Sequence, residues 1–243
     1  MEMKKALVTG AAGIMGTAVT EMFIGQGYSV VLADIDEDRL NKLHERWPEQ
    51  TYPLRVDVSR YEEVQEGIAK MQADVGTVDI LVNNAGVFSS TKIRDINPEE
   101  WHRVMAINLD SALYVSKFVL PGMIEKSWGR IINVSSYGAK SGGITAGTAY
   151  AVSKGAMITL TYSLAAETFR TGVTVNAIAP AWVKTPMVTD LSPEEQQATI
   201  QKIPVGRFCE PEEFAHVVDF LASPKAGYIT GEIVDLNGGI HFD

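Results

Sequence analysis

Seven short runs rich in β-branched and apolar residues, separated by helix-length amphipathic stretches, constrain the architecture of this chain more than any other feature. They read Lys5–Thr9, Ser29–Asp34, Thr51–Val56, Ile80–Asn83, Arg130–Ser135, Thr174–Ile178 and Glu232–Leu236. Parallel strands need a crossover between them, and a helix is the usual one. The alternation therefore predicts an α/β fold, a doubly wound seven-stranded parallel sheet with helices on both faces. The stretches Ile14–Gln26, Glu37–Trp47, Ser59–Gln72, Glu99–Lys126 and Thr148–Arg170 are the predicted helices, with Leu40, Leu43 and Trp47, and Val104 and Leu113, at helical spacing. Pro98 and Pro211 suit first turns. No linker, repeat or break in composition divides the 243 residues, so one domain over 1–243 is expected.

With 46% hydrophobic and 21% charged residues the chain matches globular averages, which excludes disordered and fibrous classes. A net charge of −9 offers no overall field to nucleic acid or an anionic membrane, so an anionic ligand has to be held by local geometry. Cys209 is the single cysteine, which rules out a disulfide within the chain and points to a reducing compartment. The lysines of Met1–Lys5 precede an apolar run, Ala6-Leu7-Val8, too short for a signal segment, and no run approaches a membrane span. A cytoplasmic location is expected. His44, His102, His216 and His241 are scattered, so no metal site is expected.

Three irregular stretches, 85–97, 136–147 and 180–211, each follow a strand. In an open α/β sheet ligands bind beyond the carboxyl ends of the strands, which makes these the loops of interest. The first strand hands over to Gly10-Ala11-Ala12-Gly13-Ile14-Met15-Gly16 where the first helix should begin. Missing side chains let backbone approach a pyrophosphate, and the helix N-terminus supplies free amides and the positive dipole end. Asp34 ends the second strand 24 residues beyond Gly10, close to the separation expected of a ribose-binding carboxylate. Such a carboxylate accepts from ribose hydroxyls and repels a 2′-phosphate, as do Asp36, Glu37 and Asp38, so NAD is expected over NADP. Arg39, the nearby cation, reads as a local ion-pair partner.

Four further segments follow in order: Asn83-Asn84-Ala85-Gly86, Asn108 inside the long helix, Ser135-Ser136, and Tyr150-Ala151-Val152-Ser153-Lys154. Together with the cradle they resemble the short-chain dehydrogenase/reductase family in its short single-domain form, from Ala6 to Gly239. The resemblance implies a Rossmann-like fold, a nicotinamide cofactor and a catalytic set of Ser136, Tyr150, Lys154 and Asn108. It implies cofactor contacts from Gly10, Gly13, Ile14, Met15, Gly16, Asp34 and Ile35, and from the pair Asp57-Val58 on the adenine. Asn84, Ala85, Gly86, Tyr150, Lys154, Pro180, Ala181, Val183 and Thr185 complete that set, with Asn83 stabilising the central sheet.

Tyr150 and Lys154 are four apart, so on a helix they share a face. A free phenol titrates near ~10, and a neighbouring ammonium is expected to lower it so that Tyr150 can exchange a proton with an alcohol or carbonyl oxygen. Ser136 would hold that oxygen, with Ser135 and Tyr137 as alternatives. By resemblance Lys154 also contacts the nicotinamide ribose and Asn108 anchors a proton-relaying water.

Three departures stand out. Ile14 replaces a glycine of the short form, Ala181 replaces the glycine after the proline, and Ser136 and Tyr150 are 14 apart, one more than usual. Ser136, Tyr137, Trp182 and Met187 are the candidate substrate wall. Acyl-carrier-protein reductases of the family carry docking arginines where this chain has Ser127 and Thr171, one residue from Lys126 and Arg170. The expectation is an NAD-dependent oxidoreductase interconverting a secondary alcohol (polyol, sugar, hydroxy acid or cyclic alcohol) and its ketone. Three alternatives remain: an NADPH-dependent 3-oxoacyl reductase, a non-catalytic NAD-binding regulator, and an epimerase or dehydratase keeping its NAD. The helices Glu99–Lys126 and Thr148–Arg170 are more apolar than exposed faces need, and by resemblance a homotetramer, or a homodimer, is expected.

Overall fold

The computed structural model describes residues 3–242; Met1 and Glu2 of the lysine-bearing N-terminus lie outside the described residues. A single parallel sheet in the order β3-β2-β1-β4-β5-β6-β7 organises the chain. Its strands are β1 Lys5–Thr9, β2 Ser29–Asp34, β3 Thr51–Arg55, β4 Ile80–Asn83, β5 Gly129–Val134, β6 Val173–Pro180 and β7 Ile233–Leu236. Strands buried on both faces read as continuous apolar runs, and β4, β5 and β6 are buried throughout. Successive side chains alternate between two cores: Ala6 and Val8 enter one cluster, Leu7 the other.

The helices are α1 Ile14–Gly25, α2 Glu37–His44, α3 Tyr61–Val75, α4 Pro98–Met105, α5 Ser111–Glu125, α6 Tyr137–Lys140, α7 Thr148–Glu167, α8 Pro186–Thr189, α9 Pro193–Ile200 and α10 Pro211–Ala222. On one face α1 packs against α10, where Phe23 and Phe214 are wholly buried and stabilise by about 2 to 3 kcal/mol each. On the other face α3 packs against α5, and α7 against β6.

Local chemistry explains the helix starts. Pro98 opens α4 behind an Asn97 cap that accepts from the Glu100 amide at 2.8 Å, and Pro211 opens α10 behind the Glu210–Glu213 capping box. The stretch expected as one helix from Glu99 is interrupted by a π turn at Ala106–Asp110, which holds Asn108. The loops expected to be irregular contain α6 and α8, four residues each and too short for a periodic signal, and α9, which buries no residue and so carries no apolar stripe. Arg170, expected inside a helix, lies beyond its end at φ 67°.

Because β1 neighbours both β2 and β4, the strand order reverses direction between β1 and β4, and a crevice opens at their carboxyl ends. Asn84 closes its floor, its Nδ2 donating to the carbonyls of Thr9 at 2.9 Å and Gly10 at 3.1 Å, while Thr9 Oγ1 accepts from the Asn84 and Ala85 amides.

Candidate active site

The crevice at that reversal is a cleft of about 420 Å³. Gly10 turns the chain at φ +63°, and a Cβ on Gly16 would fall 2.2 Å from the Gly10 carbonyl oxygen, so helix and turn approach as no other residue permits. Gly13 caps α1 without a side-chain partner, and the first-turn amides of Ile14, Met15 and Gly16 have no acceptor within the helix. Ile14 occupies the first helical position and is 43% exposed, so the departure from glycine leaves the cradle open.

At the far end of the cleft Asp34 accepts from the Ala12 amide at 2.9 Å and the Asp36 amide at 3.1 Å. Ile35, Asp57 and Val58 line the same end, and Asp57 accepts from both the amide and hydroxyl of Ser59. Arg39 is the cation lining the cleft, and its Nε sits 3.2 Å from Asp36 Oδ2. The free amides, the two required glycines and the terminal carboxylate are the groups that a dinucleotide's pyrophosphate and ribose call for.

A second cavity of about 180 Å³ continues from this cleft, and Met15, Asn84, Gly86, Thr185 and Met187 line both. Ser136, Tyr150 and Lys154 converge on it, with Tyr137 and Trp182 in its wall and Pro180, Ala181 and Val183 along one side. Ser136 caps α6, accepting from the Gly138 amide at 3.0 Å, and its hydroxyl lies beside the Tyr150 ring, a Cβ on Gly138 falling 3.3 Å from Ser136 Oγ and 3.4 Å from Tyr150 Cε1. Ser135 is committed elsewhere, donating to the Lys154 carbonyl at 2.8 Å, and Tyr137 faces His241 at 6.2 Å between rings. Ser136, by contrast, spends no hydrogen of its hydroxyl on the backbone contact it makes, since there it is the acceptor. The loop between Ser136 and Tyr150 turns at Gly142 and Gly143, at φ +67° and +72°.

Lys154 is buried and donates to the Val134 carbonyl at 2.7 Å, with its Nζ 6.0 Å from the centre of the Tyr150 ring. Burial pushes its ammonium down to about 8. The phenol of Tyr150 departs from the sequence-based expectation: burial raises it above the ordinary tyrosine value, and the neighbouring Ser136 hydroxyl opposes that shift. Desolvation of a phenolate outweighs attraction to an ammonium anchored on another group.

Asn108, fully buried in the π turn, accepts from the Val87 amide at 2.7 Å and donates to the Val87 carbonyl and Ser153 Oγ. A Cβ on Gly86 would come within 3.3 Å of Asn108 Oδ1 and 3.4 Å of Lys154 Nζ, which sets these groups side by side. Asn83 sits in a buried chain from Ser116 through Asn133 to Thr161, away from the cavity.

Several residues absent from the motif reading also shape the site. Phe88 packs edge-on against Tyr150 at 5.2 Å. Lys92 Nζ reaches across 51–54 residues to the carbonyls of Gly143 at 2.7 Å, Ile144 at 3.3 Å and Ala146 at 2.5 Å. Gly147 and Thr148, opening α7, donate to the Ser89 and Thr91 carbonyls at 2.7 and 3.0 Å. No sequence motif announces these contacts, since they join segments distant along the chain. Among the described residues no cluster of three or more His, Cys, Asp or Glu could hold a metal, and no helix is long and apolar enough to cross a membrane.

Comparison with known proteins gives the chain's relatives. A family model described as enoyl-(acyl carrier protein) reductase covers residues 10–241. The chain is 38% identical over 242 residues to the 3-oxoacyl-acyl-carrier-protein reductase of Vibrio cholerae, covering 99% of this chain and 98% of that one. It is 39% identical over 240 residues to the acetoacetyl-CoA reductase of Rhizobium meliloti, covering 98% of each. Among solved structures, a short-chain dehydrogenase/reductase titled glucose/ribitol dehydrogenase from Brucella melitensis superposes with TM-score 0.92 at 30% identity, covering 99% of this chain and 97% of that one. A 3-oxoacyl-acyl-carrier-protein reductase with bound NAD from the same organism gives TM-score 0.91 at 30% identity, with coverage of 99% and 92%. With the fold, the cleft and these relatives in agreement, the chain is a short-chain dehydrogenase/reductase, an oxidoreductase built to bind a nicotinamide dinucleotide.

Proposed function

We propose that this enzyme reduces the 3-oxo group of an acyl thioester to a 3-hydroxy group with NADH. The observation that carries the reading is the buried Tyr150 phenol, kept protonated by desolvation and set beside the Ser136 hydroxyl, in a cavity continuous with the dinucleotide cleft. A protonated phenol is the acid that a reduction needs. The names of the Vibrio and Rhizobium relatives favour the acyl substrate over the small polyol, sugar, hydroxy acid or cyclic alcohol expected from sequence. NADH is favoured over NADPH because Asp34 ends the cleft and Asp36 already pairs with Arg39, leaving a 2′-phosphate facing carboxylates. A relative with NAD bound supports that choice.

In this reading Ser136 donates to the substrate carbonyl oxygen and polarises it. A nicotinamide dinucleotide held in the cleft would supply the hydride that the carbonyl carbon accepts. Tyr150 donates its proton to the same oxygen as the alcohol forms, and Lys154, beside Asn108, restores it from solvent. Met15, Pro180, Ala181 and Val183 would shape the nicotinamide seat. Exposed Leu113, Val152 and Tyr162 on α5 and α7 support assembly into a homotetramer, for which light scattering is the check. Following nicotinamide absorbance with acetoacetyl-CoA against a polyol and sugar panel, with NAD(H) and then NADP(H), tests the reading. Turnover of the thioester with NADH supports it; turnover confined to the polyols, or to NADPH, overturns it.

A further inference from the structure

Behind the catalytic cavity lies another space of about 250 Å³, lined by Ile203, Val205, Leu236 and Gly238, with the Arg207–Glu213 pair at its rim. Trp182 lines both spaces. Its backbone is pinned, the carbonyl accepting from the Cys209 amide at 2.9 Å. Its side chain packs on a small satellite cluster of Val188, Ile203 and Phe208, separate from the two cores that flank the sheet. Val188 belongs to the wall of the catalytic cavity and Ile203 to the wall of the rear one, so this cluster stands between them.

We infer that Trp182 is the residue that sets acyl-chain length: it closes the catalytic cavity at a short acyl group and shuts off a rear subsite suited to the apolar end of a longer chain. The inference deepens the 3-oxoacyl reading and rests on it. A catalytic cavity of about 180 Å³ is smaller than the ~300 Å³ at which pockets for drug-sized ligands begin. Ile203, Val205 and Leu236 give the rear space walls that reward burial of methylene groups. A satellite cluster loses an indole at less cost to folding than a main core does.

The experiment compares NADH-dependent kcat/KM for acetoacetyl-CoA and 3-oxododecanoyl-CoA in the unmodified enzyme, in Trp182→Ala, and in Trp182→Ala combined with Val205→Trp. Val205 is 60% exposed and lines the rear space, so the added indole refills that space without entering a core. The unmodified enzyme should prefer the short thioester by roughly tenfold or more, about the discrimination available from a few methylenes in an apolar pocket. Trp182→Ala should raise the long-chain value by about tenfold with NADH affinity unchanged, and the double variant should cancel that gain. Equal use of both chains by the unmodified enzyme overturns the inference. So does a Trp182→Ala variant that binds NADH normally but keeps the short-chain preference, or a double variant that keeps the gain. Should the single variant fail to bind NADH, Trp182→Leu replaces it under the same criteria. Absence of turnover with either thioester in the unmodified enzyme overturns the 3-oxoacyl reading itself, which separates the two failures.

Discussion

Lys154 donates to the Val134 carbonyl at 2.7 Å and lies 6.0 Å from the centre of the Tyr150 ring, so the ammonium is anchored to the sheet and does not bond the phenol. Burial then governs both groups, raising the tyrosine and lowering the lysine to about 8. The pH profile follows from those directions. Reduction needs the protonated phenol and the charged lysine, so its kcat/KM should be level near neutrality, decline as the pH passes about 8, and fall again as the phenol ionises. Oxidation of the 3-hydroxy product should strengthen over the range in which the phenol ionises. Replacing Tyr150 by Phe should lower both directions by roughly 10²- to 10⁴-fold while NADH titration shows binding retained. A reduction profile without a break near 8 contradicts this account.

A buried lysine whose pKa is depressed opposes folding at neutral pH. The unfolded chain binds more protons than the folded one between about 8 and the ordinary 10.5, so stability should rise with pH across that window. The depression corresponds to roughly 3 kcal/mol, against about 1 kcal/mol from the hydrogen bond to Val134. Lys154→Met should therefore be inactive yet more stable at pH near ~7, with a Tm higher by about 4 to 8 °C. Thermal unfolding of both proteins at neutral pH and above the window tests it. The gain should vanish at the higher pH.

Asp34 ends the dinucleotide cleft beside an arginine already paired with Asp36. Asp34→Ser should weaken NADH binding by about tenfold, the loss of one charge-assisted hydrogen bond, and improve NADPH binding. Adding Ile35→Arg, at a position lining the same cleft, should shift the preference further. Calorimetric titration of both cofactors reads the change, and an unaltered ratio would remove Asp34 as the selector.

Lys92 holds three carbonyls of the loop that joins Ser136 to Tyr150. Charge-assisted bonds of this kind are roughly twice as strong as neutral ones, so Lys92→Met should free the loop. KM for the carbonyl substrate should rise by about tenfold while NADH affinity stays constant, since the dinucleotide cleft does not involve this loop. Lys92→Arg, still able to donate to several carbonyls, should restore it. Limited proteolysis within residues 141–147 gives an independent reading.

The strands, the cradle and the Tyr150–Lys154 spacing were readable from residues because each depends on local periodicity: burial on both faces makes a strand uniformly apolar, and a helical turn sets four residues on one face. Asp34 was readable for a related reason, lying one strand beyond the glycines. The division of labour between Ser135 and Ser136 was not, because it depends on which hydroxyl finds the Lys154 carbonyl 19 residues away. The π turn at Asn108 likewise leaves no periodic trace, since one added residue in a helix does not alter its composition.

From the order of its residues alone this chain had to form a parallel sheet with a phosphate cradle and a phenol one helical turn from an amine, because hydrophobic periodicity and backbone sterics act over short stretches. The protonation state of that phenol, the anchoring of the lysine on Val134, the clasp of Lys92 on a distant loop and the partition made by Trp182 were settled by packing. Desolvation and long-range contact depend on which segments meet in space, and only the assembled fold determines that.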